Sequence, residues 1–237
     1  MSVYVYGITS ADHPLRLDGA AGVGDPARPL RVVRGAVLAA VVSDAPDGLR
    51  ARRRDVLAHQ AVLDRLTGQA TALPLRFGSV APDDEAVRQA LDERADEYRE
   101  RLAALDGCAE FHLRAAVDED ALLREVLRQS GEARRLNDEV RAGHGTQELR
   151  VALGELVAAE VGARQDSFAA GIVDTLRPLA REVRRSDPTG DDFLSASFLV
   201  ESARREEFTA REAELAARYG TDFDFRLHGP LPPYSFV

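Results

Sequence analysis

Apolar and polar positions alternate from Val3 to Ile8 with the period of two that marks a short strand. Arg31–Val33 and Ala36–Ser43 carry the same period, and Arg34-Gly35 between them supplies a hairpin turn. Gly19 to Pro29, rich in glycine and proline, reads as a surface loop. From Leu49 to Leu66 the period lengthens. Val56, His59, Leu63 and Leu66 recur at helical spacing, so one face of a helix is apolar. Leu73 to Val80 returns to strand. Asp83 is placed to cap a helix whose Val87, Leu91, Tyr98, Leu102 and Leu105 form a buried stripe. Gly107 ends that helix, and Cys108 to Val117 reads as the next strand.

The second half changes character. Asp118 suits the N-cap of a helix reaching about Val140, which Gly143-His144-Gly145 breaks. Thr146 to Arg185 is a long helical stretch in which Phe168, Ile172, Leu176, Leu179 and Val183 share a face, with Pro178 as a kink. Asp187-Pro-Thr-Gly190 is a turn. Leu194, Ala196, Phe198 and Val200 alternate with small polar residues, predicting a strand with one buried face. A helix near Ala203–Arg218 follows, with Phe208, Leu215 and Tyr219 on its apolar side. Phe223, Phe225 and Leu227 then alternate with Asp222, Asp224 and Arg226 in a half-buried strand. The succession predicts an α+β protein of two domains, 1–106 and 107–237.

Charge narrows the function classes. A net charge of -9 argues against non-specific nucleic-acid binding and against anionic membrane surfaces, which both need a basic footprint. No window approaches the roughly 18 consecutive apolar residues of a membrane span. Met1-Ser-Val-Tyr leads directly into a strand without a signal peptide, so the expected address is the cytoplasm. The single cysteine, Cys108, forms no intramolecular disulfide, and a buried, inert thiol is its expected state. All 31 basic residues are arginine, which excludes a Schiff-base lysine and a phosphate-cradling Gly-Lys-Ser/Thr motif.

Candidate chemistry is sparse. His59 is the best catalytic suspect, but it sits on the apolar face of its helix with no polar partner nearby in sequence, and a structural role is favoured. The remaining histidines lack metal-ligand spacing. Gly19-x-x-Gly22-x-Gly24 runs into Pro26 and Pro29 rather than into a helix, so it is not a nucleotide loop. Arg52-Arg53-Arg54 reads as a solvated helix start. Asp187, Asp191 and Asp192 straddle a turn without the spacing of an EF-hand. Arg76-Phe77-Gly78 predicts an inward ring and a guanidinium held by a carboxylate, with a partner-contact role as an even alternative. No catalytic residue, metal or cofactor is assigned.

The C-terminal nonapeptide, Gly229-Pro-Leu-Pro-Pro-Tyr-Ser-Phe-Val237, is not what folding physics puts at a terminus. Its prolines forbid a helix, and its rings need somewhere to dock. Tyr234 and Phe236 are expected to clamp onto the chain across the domain boundary, in preference to contacting a partner. Together with Ala72-Leu-Pro-Leu-Arg-Phe-Gly-Ser-Val80, the preceding His59-Gln60, Tyr4-Val-Tyr-Gly-Ile8 and Gly107-x-x-Glu110, this tail resembles the signature of the gas vesicle protein F/L family. Leu231 stands where that family usually has tryptophan. The resemblance covers essentially the whole chain. It implies an α+β first domain and a modified ferredoxin-like second domain with long inserted helices. It also implies a non-enzymatic accessory or minor structural protein of gas vesicles that binds the small hydrophobic shell protein and limits its aggregation. A small-molecule sensor or enzyme on a ferredoxin-like scaffold is the alternative.

Overall fold

A computed structural model describes the backbone of residues 1–237 and every side chain except that of His144. Its first sheet is organised by β1 (Val3–Ser10), which pairs antiparallel with β3 (Leu38–Asp44) on one side. On the other side it pairs with two short strands, β4 (Ala72–Pro74) and β5 (Val80–Ala81). The short strand β2 (Arg31–Arg34) completes the sheet beside β3 in the order β2-β3-β1-β4. A bulge between Val5 and Gly7 shifts the alternation of β1 by one residue. Val3, Val5 and Ile8 therefore join one core cluster, and Tyr4 and Tyr6 join another. Helix α1 (Arg53–Thr67) packs Val62, Leu63 and Leu66 with the tyrosines. Helices α2 (Asp84–Glu93) and α3 (Ala95–Leu105) pack Val87, Leu91, Leu102 and Leu105 with the valines.

Three expectations for this region are corrected. The single strand over Leu73–Val80 is two strands flanking a turn, because Ser79 folds back to donate to the Arg76 carbonyl through both its N–H and its hydroxyl. The helix capped by Asp83, whose carboxylate accepts from the Ala86 N–H, is two helices, since Arg94 leaves helical geometry at φ -113°, ψ 24°. The glycine-rich loop is not all surface: Val23 within it is fully buried.

The second sheet holds β6 (Cys108–Val117), β7 (Glu182–Arg185), β8 (Asp192–Glu201) and β9 (Phe223–Leu231) in the order β7-β8-β6-β9. Between β6 and β7 run α4 (Glu119–Gln129), α5 (Gly131–Glu139), a wide turn at Val140–His144 and α6 (Gln147–Leu176). Helix α7 (Arg205–Tyr219) joins β8 to β9. Asp118 caps α4 as the sequence predicts, but that helix stops at Ser130, whose hydroxyl accepts from the Ala133 N–H and starts α5. The 30-residue α6, about 45 Å long, ends at Leu176. Pro178 terminates it rather than kinking it, since proline supplies no N–H to continue the ladder. The residues beyond form β7. Strand β8 is buried on both faces from Phe193 to Val200, not on one, and its Ser195 and Ser197 hydroxyls are bonded to His112.

The contacts group the chain into two units. One comprises Met1–Phe111, Leu199–Ser202 and Gly229–Val237; the other comprises His112–Phe198 and Ala203–His228. The C-terminal tail thus belongs with the first sheet.

Candidate functional site: a closed aromatic cluster and a docked tail

Of the sequence-derived candidates, His59, Phe77 and Tyr234 converge on one place, the tyrosine face of the first sheet. Helix α1 aims the imidazole of His59 at Tyr4 and Tyr6, stacking it on Tyr6 at 5.7 Å between centroids and 25° between planes. Phe77 meets Tyr4 and His59 edge-on at 5.9 and 5.7 Å. The Leu75 carbonyl can only accept, so His59 Nε2 carries the hydrogen and donates to it at 3.1 Å. His59 Nδ1 then accepts from the Tyr4 hydroxyl at 2.9 Å, and the Tyr4 oxygen accepts the Gly78 N–H at 3.1 Å. Gly78 sits at φ 91°, a conformation that keeps this N–H aimed inward at no steric cost. Burial lowers the His59 pKa and raises that of the Tyr4 phenol, so the fold favours the neutral form of both rings.

A second set of bonds fastens the glycine-rich loop to this cluster. The Val23 N–H donates to the Tyr6 oxygen at 2.8 Å, and the Tyr6 hydroxyl shares a hydrogen bond with Ser43 Oγ at 3.0 Å. Buried Asp55 accepts from the Gly24 N–H at 2.9 Å. Each polar group is committed to a neighbour. Both ring nitrogens of His59 are bonded within the protein, to the Tyr4 hydroxyl and to the Leu75 carbonyl.

The tail closes the same region. Tyr234 packs with the tyrosine cluster, and Phe236 is buried in the valine cluster. Between the two rings, Ser235 donates its N–H and its hydroxyl to the two oxygens of buried Glu110, at 2.8 and 2.6 Å. Pro232 and Pro233 are buried beside them. The tail passes β6 so closely that a Cβ on Gly229 would lie 2.6 Å from the Phe111 ring, so a side chain is excluded there. Burial, with help from the nearby Asp64 and Glu110 charges, pushes the Tyr234 hydroxyl up to about 12.

Arg76 departs from expectation. Its side chain is exposed and has no carboxylate partner among the described residues, whereas the next residue, Phe77, is half-buried against the tyrosine cluster. Asp187, Asp191 and Asp192 gather no metal-binding group among the described residues; Asp192 instead pairs with Arg114 and Arg226. Sequence reasoning missed Tyr6, Ser43 and Asp55 as pinning groups, and missed Glu110 as the receptor for Ser235. Glu110 and Ser235 were each visible in a motif, but 125 residues separate them.

A first strand rich in tyrosine, a histidine helix, an Arg-Phe-Gly turn and a proline–aromatic tail thus form one structural assembly, and it runs from one end of the chain to the other. The chain belongs to the family of gas vesicle synthesis proteins GvpL/GvpF, whose model matches residues 2–237. Gas vesicle protein F of Streptomyces sp. (strain CB03234) is 44% identical to it over 238 residues, covering the whole of both chains. The crystal structure of GvpF from Anabaena sp. PCC7120 superposes with a TM-score of 0.85 at 25% identity, over 99% of this chain and 97% of that one. GvpF from Microcystis aeruginosa gives 0.81 at 26%, over 99% and 98%. The mixed α/β architecture is therefore that of the GvpF structures, and the protein's role lies with gas vesicles. Among the described residues, no helix is long and apolar enough to cross a membrane.

Proposed function

We propose that this protein acts by binding rather than by catalysis. It would hold the small, very hydrophobic gas vesicle shell protein in the cytoplasm until that protein enters the vesicle wall, as an assembly factor or a minor vesicle component. The observation that carries this reading is the family match over residues 2–237, with relatives named for gas vesicles. The net charge of -9 supports it, since a strongly acidic carrier keeps a complex with an apolar client dispersed. The commitment of His59 to Tyr4 and Leu75 favours binding over acid–base chemistry.

We also infer that residues 107–237 form a modified ferredoxin-like domain. The support is the β-α-β-β-α-β succession from β6 to β9, with the first and third of its strands, β6 and β8, at the centre of the sheet. In this arrangement α4 to α6 occupy the first crossover, and residues 1–106 form the other domain. Tail contact with a partner, through Tyr234 or Phe236, would require the rings to leave their present positions.

The test is co-expression with the small shell protein, followed by fractionation and pull-down through this chain. The expected result is shell protein recovered in the supernatant and on the resin, with the complex persisting at high salt because apolar burial dominates. Shell protein that stays in the pellet beside a folded, unaccompanied partner would overturn the reading.

A further inference from the structure

The second unit contains two adjoining cavities. One, of about 700 Å³, is lined by Asp118, Glu119, Asp191, Asp192, Asp222 and Asp224 and, among the described residues, by no basic residue. The other, of about 420 Å³, shares Val117, Leu122, Asp222 and Phe223 with the first; it is lined by the rings of Phe168, Tyr219 and Phe223 and also by Glu125, Arg164 and Arg218. The result is a groove with an acidic half and an aromatic half, the latter carrying Arg164, which pairs with Glu160, and Arg218.

The acidic half is not explained by the chain's own pairing. This protein carries 31 arginines, and ion pairs run along its helices, as at Glu97–Arg101 and Arg135–Glu139. In the groove, Asp192 is neutralised by Arg114 and Arg226, Asp224 contacts Arg226, and Asp118 caps α4. Glu119, Asp191 and Asp222 have no cationic partner among the described residues. Like charges facing one cavity with low-dielectric walls focus a negative potential into it. The aromatic half is also incompletely used. Phe168, Tyr219 and Phe223 pack edge to face at 4.8–6.0 Å and remain part-exposed, and the Tyr219 hydroxyl makes no hydrogen bond among the described residues.

We propose that this groove docks an amphipathic segment of a partner protein, one that presents arginine or lysine beside a row of apolar side chains. The apolar row would lie on Phe168, Tyr219 and Phe223, and its cations would reach Glu119, Asp191 and Asp222 while facing the rings. The carboxylates disfavour an acidic segment or a nucleic-acid strand in the acidic half. The proposal goes beyond shell-protein binding: it assigns a surface and a partner chemistry, and it holds whether or not the shell protein supplies the segment.

The test uses the full chain and two fluorescein-labelled synthetic helices of about 18 residues with the same Leu/Phe face, one flanked by arginine and one by glutamate. Fluorescence anisotropy should show saturable binding of the arginine helix and none of the glutamate helix. The exposed pair Asp191→Arg with Asp222→Arg should weaken binding about tenfold or more, while Asp96→Arg in the first unit leaves it unchanged. Should the reversal pair melt early, Asp191→Asn with Asp222→Asn serves in its place, and the same direction of change is expected. Equal binding of the two helices, equal loss with Asp96→Arg, or no saturable binding would overturn the proposal. Shell-protein co-purification is scored separately on the same variants. Its failure with the wild-type chain refutes the carrier reading while a positive helix titration still stands, and the converse holds.

Discussion

Each unit of this protein contains a cluster of aromatic rings, and the two are finished differently. In the first, Tyr4, Tyr6, His59, Phe77 and Tyr234 are locked by polar bonds: the Tyr4 and Tyr6 hydroxyls each contact a backbone N–H and a side chain. In the second, Phe168, Phe193, Tyr219, Phe223 and Phe225 meet mostly by their edges, and the Tyr219 hydroxyl is left without a protein partner among the described residues. Ring count and ring contacts do not separate a structural cluster from a receptive one. The disposition of the polar atoms does, because a satisfied hydroxyl fixes its ring and an unsatisfied one remains free for another molecule.

The sharpest way to break the comparison is at the tail, whose second ring completes the first unit's core. Phe236→Ala should remove about 3–5 kcal/mol, read as a lower urea midpoint at unchanged slope. A loss below about 1 kcal/mol would mean that the tail lies on the core rather than in it. Next comes a matched pair of hydroxyl deletions. Tyr4→Phe leaves the Gly78 N–H and His59 Nδ1 without their partner and should cost about 1–3 kcal/mol, whereas Tyr219→Phe should stay within about 0.5 kcal/mol. Equal costs in equilibrium unfolding would erase the distinction between the clusters.

The smallest effect is a pH dependence. Burial depresses the folded-state pKa of His59 below the unfolded value of about 6.5, so the unfolded chain takes up the proton first. This contribution to stability is complete above about pH 7.5 and falls as the pH drops through 6.5 toward the folded pKa. Melting temperatures measured between about pH 7.5 and 5 should decline less steeply for His59→Gln than for the wild type, and parallel profiles would exclude His59 as the source.

Local pattern made the two-part order of elements legible, because strand and helix periods are written over consecutive residues. The hairpin and the caps at Asp83 and Asp118 were readable for the same reason, although the hairpin loop is Gly35 to Val37, with Arg34 inside β2. The breaks at Arg94 and Ser130 were not, since the apolar stripe continues across both and only backbone angles or a single hydroxyl mark them. The two-faced burial of β8 was hidden because serine reads as solvent-facing unless its partner, here His112, is known. In the cluster, His59 and Phe77 were found from the motifs around them. The receptor for the tail was not, since a hydrogen bond from Ser235 to Glu110 leaves no local period in the sequence.

The docking of Phe236 among Val3, Val5 and Leu38 also has a consequence in time. A ribosome delivers the chain from the N-terminus, so the strands of the first sheet emerge well before Phe236, and the core they enclose lacks that ring until then. A last contact so distant in sequence delays native packing and leaves the nascent chain exposed to capture or degradation in the interval. Packing of the first unit therefore waits on a distant segment: a chain cut before Ser235 lacks both the group that Glu110 receives and the ring that the valine cluster encloses.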